Sequence, residues 1–296
     1  MVSEYGDWEY YAQNAGLNQS AWADLKEEER TSRQSLGAGE KRLLQQALNI
    51  QEAHNSNLTV PAFGDGYWVM FDYNRGYADD LETSGIMSLE RLPKLSYWFF
   101  RSQRDASERS ELYSAGPMVK IASYWQQGSS PQIRVFSNAD EVELKLNGHS
   151  LGRLKPVRHA MSDHLAHPPF LFEAGRFEPG VVEATAFIGG RAVATDRVET
   201  PGPAVRLQIE LDDSGAAPQP RDLVFARVRA LDVNGRLVPG ATGIVRLTGS
   251  GRLQLVGSTT AELEGGIASL LVRMSPGVKG FLRAEAKGLA PAALRN

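Results

Sequence analysis

The side chains best suited to metal chemistry in this sequence are three histidines that fall close together, His159, His164 and His167. His164 and His167 have a spacing that two metal ligands can use, but no third ligand stands at a convincing distance from them. A polar loop between strands is therefore favoured over a metal centre. Residues 37–39, Gly-Ala-Gly, lack the third glycine and the preceding strand of a dinucleotide-binding loop. We predict no metal and no cofactor.

Composition narrows the remaining chemistry and the partners. The chain has no cysteine, which excludes disulfides, thiolate nucleophiles and cysteine-ligated metals. Its net charge is −3 and no run of five like charges occurs, so no nucleic-acid partner is expected. No apolar stretch approaches the roughly 20 residues that span a bilayer, so no membrane partner is expected either. Hydrophobic residues make up 42 %, which indicates globular domains.

The first third of the chain has an α/β pattern. Apolar residues recur at helical spacing between Gly39 and Asn55, which predicts an amphipathic helix of about four turns. A shorter helix is predicted to begin at Ser20 and to run through Trp22 and Leu25. The apolar run Tyr67–Phe71 is typical of a strand buried on both faces.

The remainder is predicted to be all-β. Four strands are expected before residue 200, with hairpin turns at Asn147-Gly148 and Gly189-Gly190, and they indicate an antiparallel β-sandwich. These strands are Val119–Trp125, Gln132–Ser137, Glu141–Leu146 and Val181–Ile188. Thr200–Pro203 is interpreted as a linker. Beyond it, a second sandwich is predicted from Val224–Val233, the Asn234-Gly235 turn, Gly243–Leu247 and Ile267–Arg273.

An ordered series of motifs resembles family-2 glycoside hydrolases of the β-galactosidase type. Residues 3–6, Ser-Glu-Tyr-Gly, resemble the segment that carries the nucleophile at the end of the seventh barrel strand, and residues 66–73 look like the eighth strand. Residues 85–87, 91–94 and 97–103 resemble the segment of these enzymes in which the chain leaves the barrel. Residues 137–144, 146–148, 167–170 and 200–202 resemble the β-sandwich that follows the barrel in many bacterial members.

The resemblance implies a multidomain fold. Residues 1–105 are expected to be the C-terminal part of a (β/α)8 TIM barrel, 112–200 a β-sandwich typical of the family, and 204–296 an immunoglobulin-like β-sandwich. It also implies a carbohydrate substrate, a β-galactoside or a related β-glycoside. The barrel segment is expected to be the least stable part of the chain, so that proteolysis leaves a fragment beginning near Leu112.

The resemblance also implies the site residues. Glu4 is expected to be the catalytic nucleophile of a retaining glycosidase. Trp68 matches a sugar-binding tryptophan, with a place in the barrel core as the alternative. Tyr5 and Asp72 are expected to contact sugar hydroxyls or to hold Glu4 in place, and a purely structural role is the favoured alternative for both.

The second carboxylate is not evident in the sequence. In the family the acid/base glutamate follows an asparagine on an earlier barrel strand, and no Asn-Glu pair occurs in these 296 residues. We therefore expect a portion of a longer enzyme that is inactive alone. The alternative is a non-catalytic carbohydrate-binding or spacer module, with Trp125 as a stacking platform or a core residue. The oligomeric state and compartment stay open, although a periplasmic or secreted parent is compatible with the family.

Overall fold

The computed structural model describes residues 1–5, 34–76, 81–212, 218–277 and 279–295. Gly6 of the nucleophile motif and the helix predicted from Ser20 lie outside these ranges. The chain forms two compact units, Met1–Thr200 and Pro201–Asn296, and their boundary falls within the segment interpreted as a linker.

In the N-terminal part of the first unit, the described residues form short strands and two helices. They are β1 (Val2–Tyr5), α1 (Glu40–Asn57), β2 (Asp65–Tyr67), β3 (Tyr73–Asn74), β4 (Leu81–Glu82) and α2 (Leu95–Ser102), with a 3-10 turn at Leu36–Ala38. β1 pairs with β2 in parallel, and β3 pairs with β4 antiparallel. Within these ranges no helix has both the length and the hydropathy needed to cross a membrane.

The long amphipathic helix predicted from periodicity is confirmed as α1. Leu43, Ala47 and Ile50 form its buried apolar stripe, as a period of 3.6 residues requires. The helix also buries polar side chains beside that stripe, among them Gln46, Gln51 and Asn55. A buried amide must find hydrogen-bond partners, so this helix needs particular neighbours as well as an apolar surface.

The predicted strand at Tyr67–Phe71 is wrong in its extent and its burial. The strand is Asp65–Tyr67, and the side chains of Trp68 and Met70 are 40 % and 49 % exposed. The chain leaves β1 after Trp68 because residues 69–72 bond to residues 86 and 87 instead. Ile86 N donates to Val69 O at 3.1 Å, and Met87 N donates to Met70 O at 2.9 Å. Sequence periodicity does not reveal such a change of partner.

The regular elements of residues 112–200 are all β-strands. One sheet contains β5 (Val119–Ile121), β6 (Gln132–Ser137) and β9 (Phe170–Glu173). The other has the order β11-β10-β7-β8 and contains β7 (Glu141–Leu146), β8 (His149–Leu154), β10 (Val181–Ile188) and β11 (Arg191–Glu199). Strands from both sheets fill one hydrophobic core, which is the arrangement of a β-sandwich.

Most sequence predictions for this region are confirmed. The bounds of β6, β7 and β10 match the predicted strands, whereas β5 ends at Ile121 rather than Trp125. Asn147 and Gly148 have φ values of 52° and 82°, the left-handed backbone that a two-residue hairpin turn between β7 and β8 requires.

The second unit is also β-structure. Its strands are β12 (Arg206–Asp212), β13 (Leu223–Leu231), β14 (Ile244–Gly251), β15 (Leu253–Val256), β16 (Thr260–Glu262), β17 (Ile267–Met274), β18 (Gly280–Ala286) and β19 (Leu289–Arg295). They are hydrogen-bonded in the order β15-β17-β13-β12-β19-β18-β14-β16 around a single core. At the predicted Asn234-Gly235 turn, the buried Asp232 carboxylate accepts hydrogen bonds from the Asn234 and Arg236 amides, at 2.9 and 2.8 Å.

Gly85 marks a place where two backbone segments touch. A Cβ atom at this position would lie 2.3 Å from the Asp72 nitrogen and 2.4 Å from the Phe71 carbonyl carbon. We expect Gly85→Ala to lower the free energy of unfolding of the first unit by about 1–3 kcal/mol. Gly64→Ala is the matched control, because its Cβ would meet nothing within 4 Å. Denaturant unfolding measures both, and equal stability of the two variants would contradict this packing.

The two helices share a core with the sandwich. Leu43 and Ile50 of α1 and Phe99 of α2 belong to the same buried cluster as Phe136 of β6 and Leu165. This shared core changes the expectation that proteolysis leaves a fragment beginning near Leu112. We now expect the resistant fragment to retain α1. N-terminal sequencing after limited proteolysis tests this, and accumulation of a fragment that begins near residue 112 would refute it.

Candidate functional site

Glu4 and Trp68 lie near the carboxyl ends of two adjacent parallel strands. In the β1–β2 pair Val2 is opposite Asp65, and Tyr5 is opposite Tyr67. The Trp68 amide extends this pairing by donating to the Tyr5 carbonyl at 2.7 Å. Glu4 is exposed, so its carboxylate is open to an external ligand. The strand pair therefore brings two residues of different chemistry, a carboxylate and an aromatic ring, to the same end of the sheet.

Tyr5 faces the helix layer. Its ring meets Tyr67 edge-on, with centroids 5.5 Å apart, and its hydroxyl lies 3.4 Å from Nδ1 of His54 in α1. Burial and the neighbouring Asp65 carboxylate raise the pKa of the Tyr5 hydroxyl. The β1–β2 register shifts between Val2 and Tyr5, so Glu4 lies where β1 departs from regular pairing. Of the two expected roles of Tyr5, these contacts favour holding the strand that carries Glu4.

His54 and Asp65 are site-supporting residues that the sequence reading missed. His54 Nδ1 lies 2.8 Å from Asp65 Oδ2, and the Asn57 amide donates to the same oxygen at 3.4 Å. Burial acts to raise the pKa of Asp65, but its hydrogen bond to His54 and the charge of His54 outweigh burial and lower it. The pair ties the last turn of α1 to the first residue of β2. His54 and Asp65 come together only when α1 packs beside β2, and no sequence motif marks such a pair.

Trp68 is held by Tyr73, a third residue whose role was not predicted from the sequence. The Trp68 indole N–H donates to the Tyr73 hydroxyl at 3.2 Å, and the rings meet edge-on with centroids 5.8 Å apart. The indole is therefore fixed at one edge while 40 % of the residue stays exposed. A fixed, exposed aromatic face is suited to packing against an apolar ligand surface.

Asp72 lies inside the protein, and its place does not agree with contact to a sugar. Its side chain is 1 % exposed and accepts a hydrogen bond from Lys94 Nζ at 2.7 Å. Lys94 Nζ also donates to the Thr83 carbonyl at 2.8 Å. The carboxylate and the ammonium thus compensate each other in the interior and join the segments around residues 72, 83 and 94.

Trp125 is a core residue. It is fully buried, its indole N–H donates to the Glu178 carbonyl at 2.9 Å, and its ring packs on Phe177. The stacking platform considered for a carbohydrate-binding module is therefore wrong. The physical reason is that the residue lies between the two sheets of the sandwich, where no ligand reaches its ring.

The remaining sequence signals have local explanations. His164 Nδ1 contacts Asp163 and His167 Nε2 contacts Asp105, both at 2.8 Å. Across the residues that the structure describes, no cluster of three ligating side chains suits a metal. The stretch Gly148–Gly152 fits a Gly-x-Ser-x-Gly pattern but lies in the β7–β8 hairpin, where Ser150 donates to Glu143 at 3.0 Å. A nucleophile elbow instead requires a strand-to-helix turn.

Comparison with known proteins shows that this chain is similar to carbohydrate-active enzymes. Residues 128–194 match the model of a domain of unknown function, DUF4982. The chain is 32 % identical over 227 residues to a β-galactosidase from Thermoanaerobacter pseudethanolicus, and 30 % identical over 240 residues to one from Rhizobium meliloti. These alignments cover 71 % and 75 % of this chain but only 30 % of each relative. The chain therefore spans about a third of the length of the curated relatives it matches.

Solved structures agree at the level of fold. A β-glycosidase from Bacteroides vulgatus superposes with a TM-score of 0.65 at 21 % identity, over 78 % of this chain and 30 % of that one. A β-glucuronidase from glycoside hydrolase family 2 superposes with a TM-score of 0.65 at 19 % identity, over 99 % of this chain and 31 % of that one. From the sequence relatives and this shared fold, the chain belongs to glycoside hydrolase family 2 and covers part of the length of its members.

The buried Lys94–Asp72 pair gives a stability prediction. Lys94→Met should lower the free energy of unfolding by about 3–5 kcal/mol, because the buried Asp72 carboxylate loses the ammonium group that lies 2.7 Å from it. Adding Asp72→Asn should recover part of this loss. Arg176→Met breaks an exposed pair with Glu178 and should change stability by less than about 1 kcal/mol. Chemical denaturation compares the three, and a Lys94→Met loss no larger than that of the control would contradict the pairing.

Proposed function

We propose that this chain is the nucleophile-bearing portion of a retaining exo-β-glycosidase that hydrolyses terminal β-galactosides or related β-glycosides. The observation that carries the proposal is the placement of Glu4 and Trp68 at the carboxyl ends of adjacent parallel strands. Enzymes built on (β/α)8 barrels keep their catalytic residues at this end of the strands. Two relatives named β-galactosidase support the choice of glycone.

The domain assignments are part of this proposal. β1, α1 and β2 follow one another as parallel strand, helix and parallel strand, which is the repeating unit of a barrel. We assign residues 1–105 to the C-terminal part of such a barrel and residues 112–200 to the β-sandwich that follows it. Residues 204–296 are assigned to an immunoglobulin-like sandwich, which agrees with their strands packing around one core.

The proposed mechanism gives Glu4 and Trp68 different tasks. Retaining glycosidases use two carboxyl groups about 5–5.5 Å apart, one as nucleophile and one as acid and base. Glu4 would attack the anomeric carbon and form the glycosyl-enzyme intermediate. Trp68 would pack its exposed face against the apolar face of the sugar ring, with Tyr73 fixing its orientation. The acid/base group has no candidate among these 296 residues by the Asn-Glu motif, so we assign it to another segment of the enzyme.

The isolated chain should not turn over an aryl β-galactoside. General acid–base catalysis typically contributes a factor of about 10² to 10⁴, and without the second carboxyl group this factor is lost. A chromogenic assay with the purified chain measures this directly. Turnover that Glu4→Gln abolishes would show that the chain contains a complete site and would overturn the proposed division of the catalytic pair.

The nucleophile is tested in a longer protein that carries this chain together with the acid/base glutamate. Glu4→Gln should nearly abolish turnover there, because the amide keeps the shape of the side chain but does not form the glycosyl intermediate. Glu141→Gln, on the exposed sandwich surface, is the control and should retain the rate. A 2-fluoro glycoside should label the peptide that contains Glu4, and a label on another carboxylate would remove Glu4 from the mechanism.

A further inference from the structure

A loop of the sandwich contacts the inner side of α1. The loop joins β8 to β9 and comprises residues 155–169, which fall inside the region matched by the domain of unknown function. It is held in shape by its own hydrogen bonds: the Ser162 hydroxyl donates to the Val157 carbonyl at 2.9 Å, and Arg158 donates to the Asp163 and Leu165 carbonyls. Ser162 and Leu165 of the loop are buried, and Leu165 belongs to the same core cluster as Leu43 and Ile50 of α1. The loop is therefore a preformed surface.

Gln51 joins the helix to two parts of this surface. Its amide nitrogen donates to the Met161 carbonyl at 2.9 Å, and its amide oxygen accepts from Arg134 of β6 at 3.1 Å. The Gln51 side chain is fully buried, so both ends of the amide depend on these partners. Burial lowers the pKa of Arg134 to about 10, which leaves the guanidinium charged at neutral pH.

Asn55 lies one turn further along α1 and contacts the same loop three times. Its amide nitrogen donates to the Ala160 carbonyl at 3.2 Å and to Asp163 Oδ1 at 3.0 Å. Its amide oxygen accepts from the His164 backbone nitrogen at 2.9 Å. A side chain with three directional bonds fixes the rotation and the axial position of the helix end.

The other end of α1 is fixed through Glu40. Its carboxylate accepts from the Tyr124 amide at 2.6 Å, the Ser129 hydroxyl at 2.8 Å and the Ser123 hydroxyl at 3.1 Å. Burial raises the pKa of Glu40, and these three donors act in the opposite direction. The sandwich therefore holds α1 at both ends with buried polar contacts.

The C-terminal end of α1, which Asn55 fixes, is also the end that contacts the strand of Glu4. Asn55 is the next residue after His54, and His54 contacts Asp65 at the start of β2 and the Tyr5 hydroxyl at the end of β1. Tyr5 follows Glu4 in the chain. A continuous set of contacts thus runs from the sandwich loop through Asn55 and His54 to the residue beside the proposed nucleophile.

We propose that the β8–β9 loop and Arg134, within the domain of unknown function, form a positioning element that sets the geometry of the β1–β2 strand pair through α1. The catalytic meaning of this coupling rests on the proposed function of Glu4. The coupling itself is a property of this chain and is measurable without any activity. The residues involved are positioning residues, because none of them contacts the site directly.

Hydrogen exchange of the intact chain tests the coupling. The reporters are the amides of Val2 and Trp68, which bond to Gly64 and Tyr5 across the strand pair. Gln51→Met and Asn55→Ala remove the loop contacts, and each should accelerate exchange of both reporters by roughly ten- to a hundredfold. Ser56→Ala is the control, because Ser56 is exposed on the same helix turn and should leave the rates unchanged. The ¹⁵N signals of His54 should shift in the two test variants only.

The exchange pattern separates coupling from simple anchoring. Faster exchange in α1 with unchanged rates at Val2 and Trp68 would show that the sandwich only anchors the helix, and would overturn the proposal. Sandwich amides of β7 and β10 report whether the whole unit unfolds. If either test variant unfolds it, Arg134→Lys, which keeps the charge and shortens the reach to Gln51, provides the same comparison. Failure of the fluoro-glycoside to label Glu4 would remove the proposed function and leave the exchange result intact.

Discussion

The first unit depends on the way α1 is buried. The helix presents an apolar stripe to the interior, and beside it the amides of Gln46, Gln51 and Asn55 are also enclosed. An apolar stripe alone tolerates sliding and rotation, because dispersion and hydrophobic burial are not directional. Enclosed amides do not, since each lost partner leaves a desolvated donor or acceptor at a cost of about 1–3 kcal/mol. The buried amides therefore fix the position of α1, and this in turn restricts the positions of the segments that contact it.

Buried charges in this unit act in the same way. Glu40, Asp72 and Lys94 are all enclosed, and each has charged or polar partners in segments distant in sequence. Such groups add little net stability, because the penalty for leaving water offsets much of their attraction. Their stronger effect is to penalise every arrangement in which a partner is missing. The interior of residues 34–200 is consequently rich in interactions that specify a structure rather than merely favour compactness.

This distinction explains which features the sequence predicted. The helix α1 and the strands β6, β7 and β10 were predicted from periodicity and turn chemistry, which are local properties. The point at which the chain leaves β1, after Trp68, was not predicted, because it follows from bonds between residues 69–72 and 86–87. The roles of His54 and Tyr73 were missed for the same reason. Glu4 and Trp68 are proposed from motifs, whereas the side chains that contact their strands carry no motif.

The sandwich of residues 112–200 is more than an appendage of the residues that precede it. If the sandwich were joined to α1 and α2 only by the connecting chain, it would share no core with these helices. Its loops would then bury few side-chain amides of α1. Instead Phe136 and Leu165 complete the cluster around Leu43 and Phe99, and the β8–β9 loop satisfies Gln51 and Asn55. A nucleophile must stay within a few tenths of an ångström of its productive position, and a short strand pair such as β1–β2 has little rigidity of its own. Fixing the helix that joins the two strands restricts both strands at once. The shared core therefore puts the sandwich in a position to maintain the geometry of the proposed nucleophile without contributing an atom to the reaction.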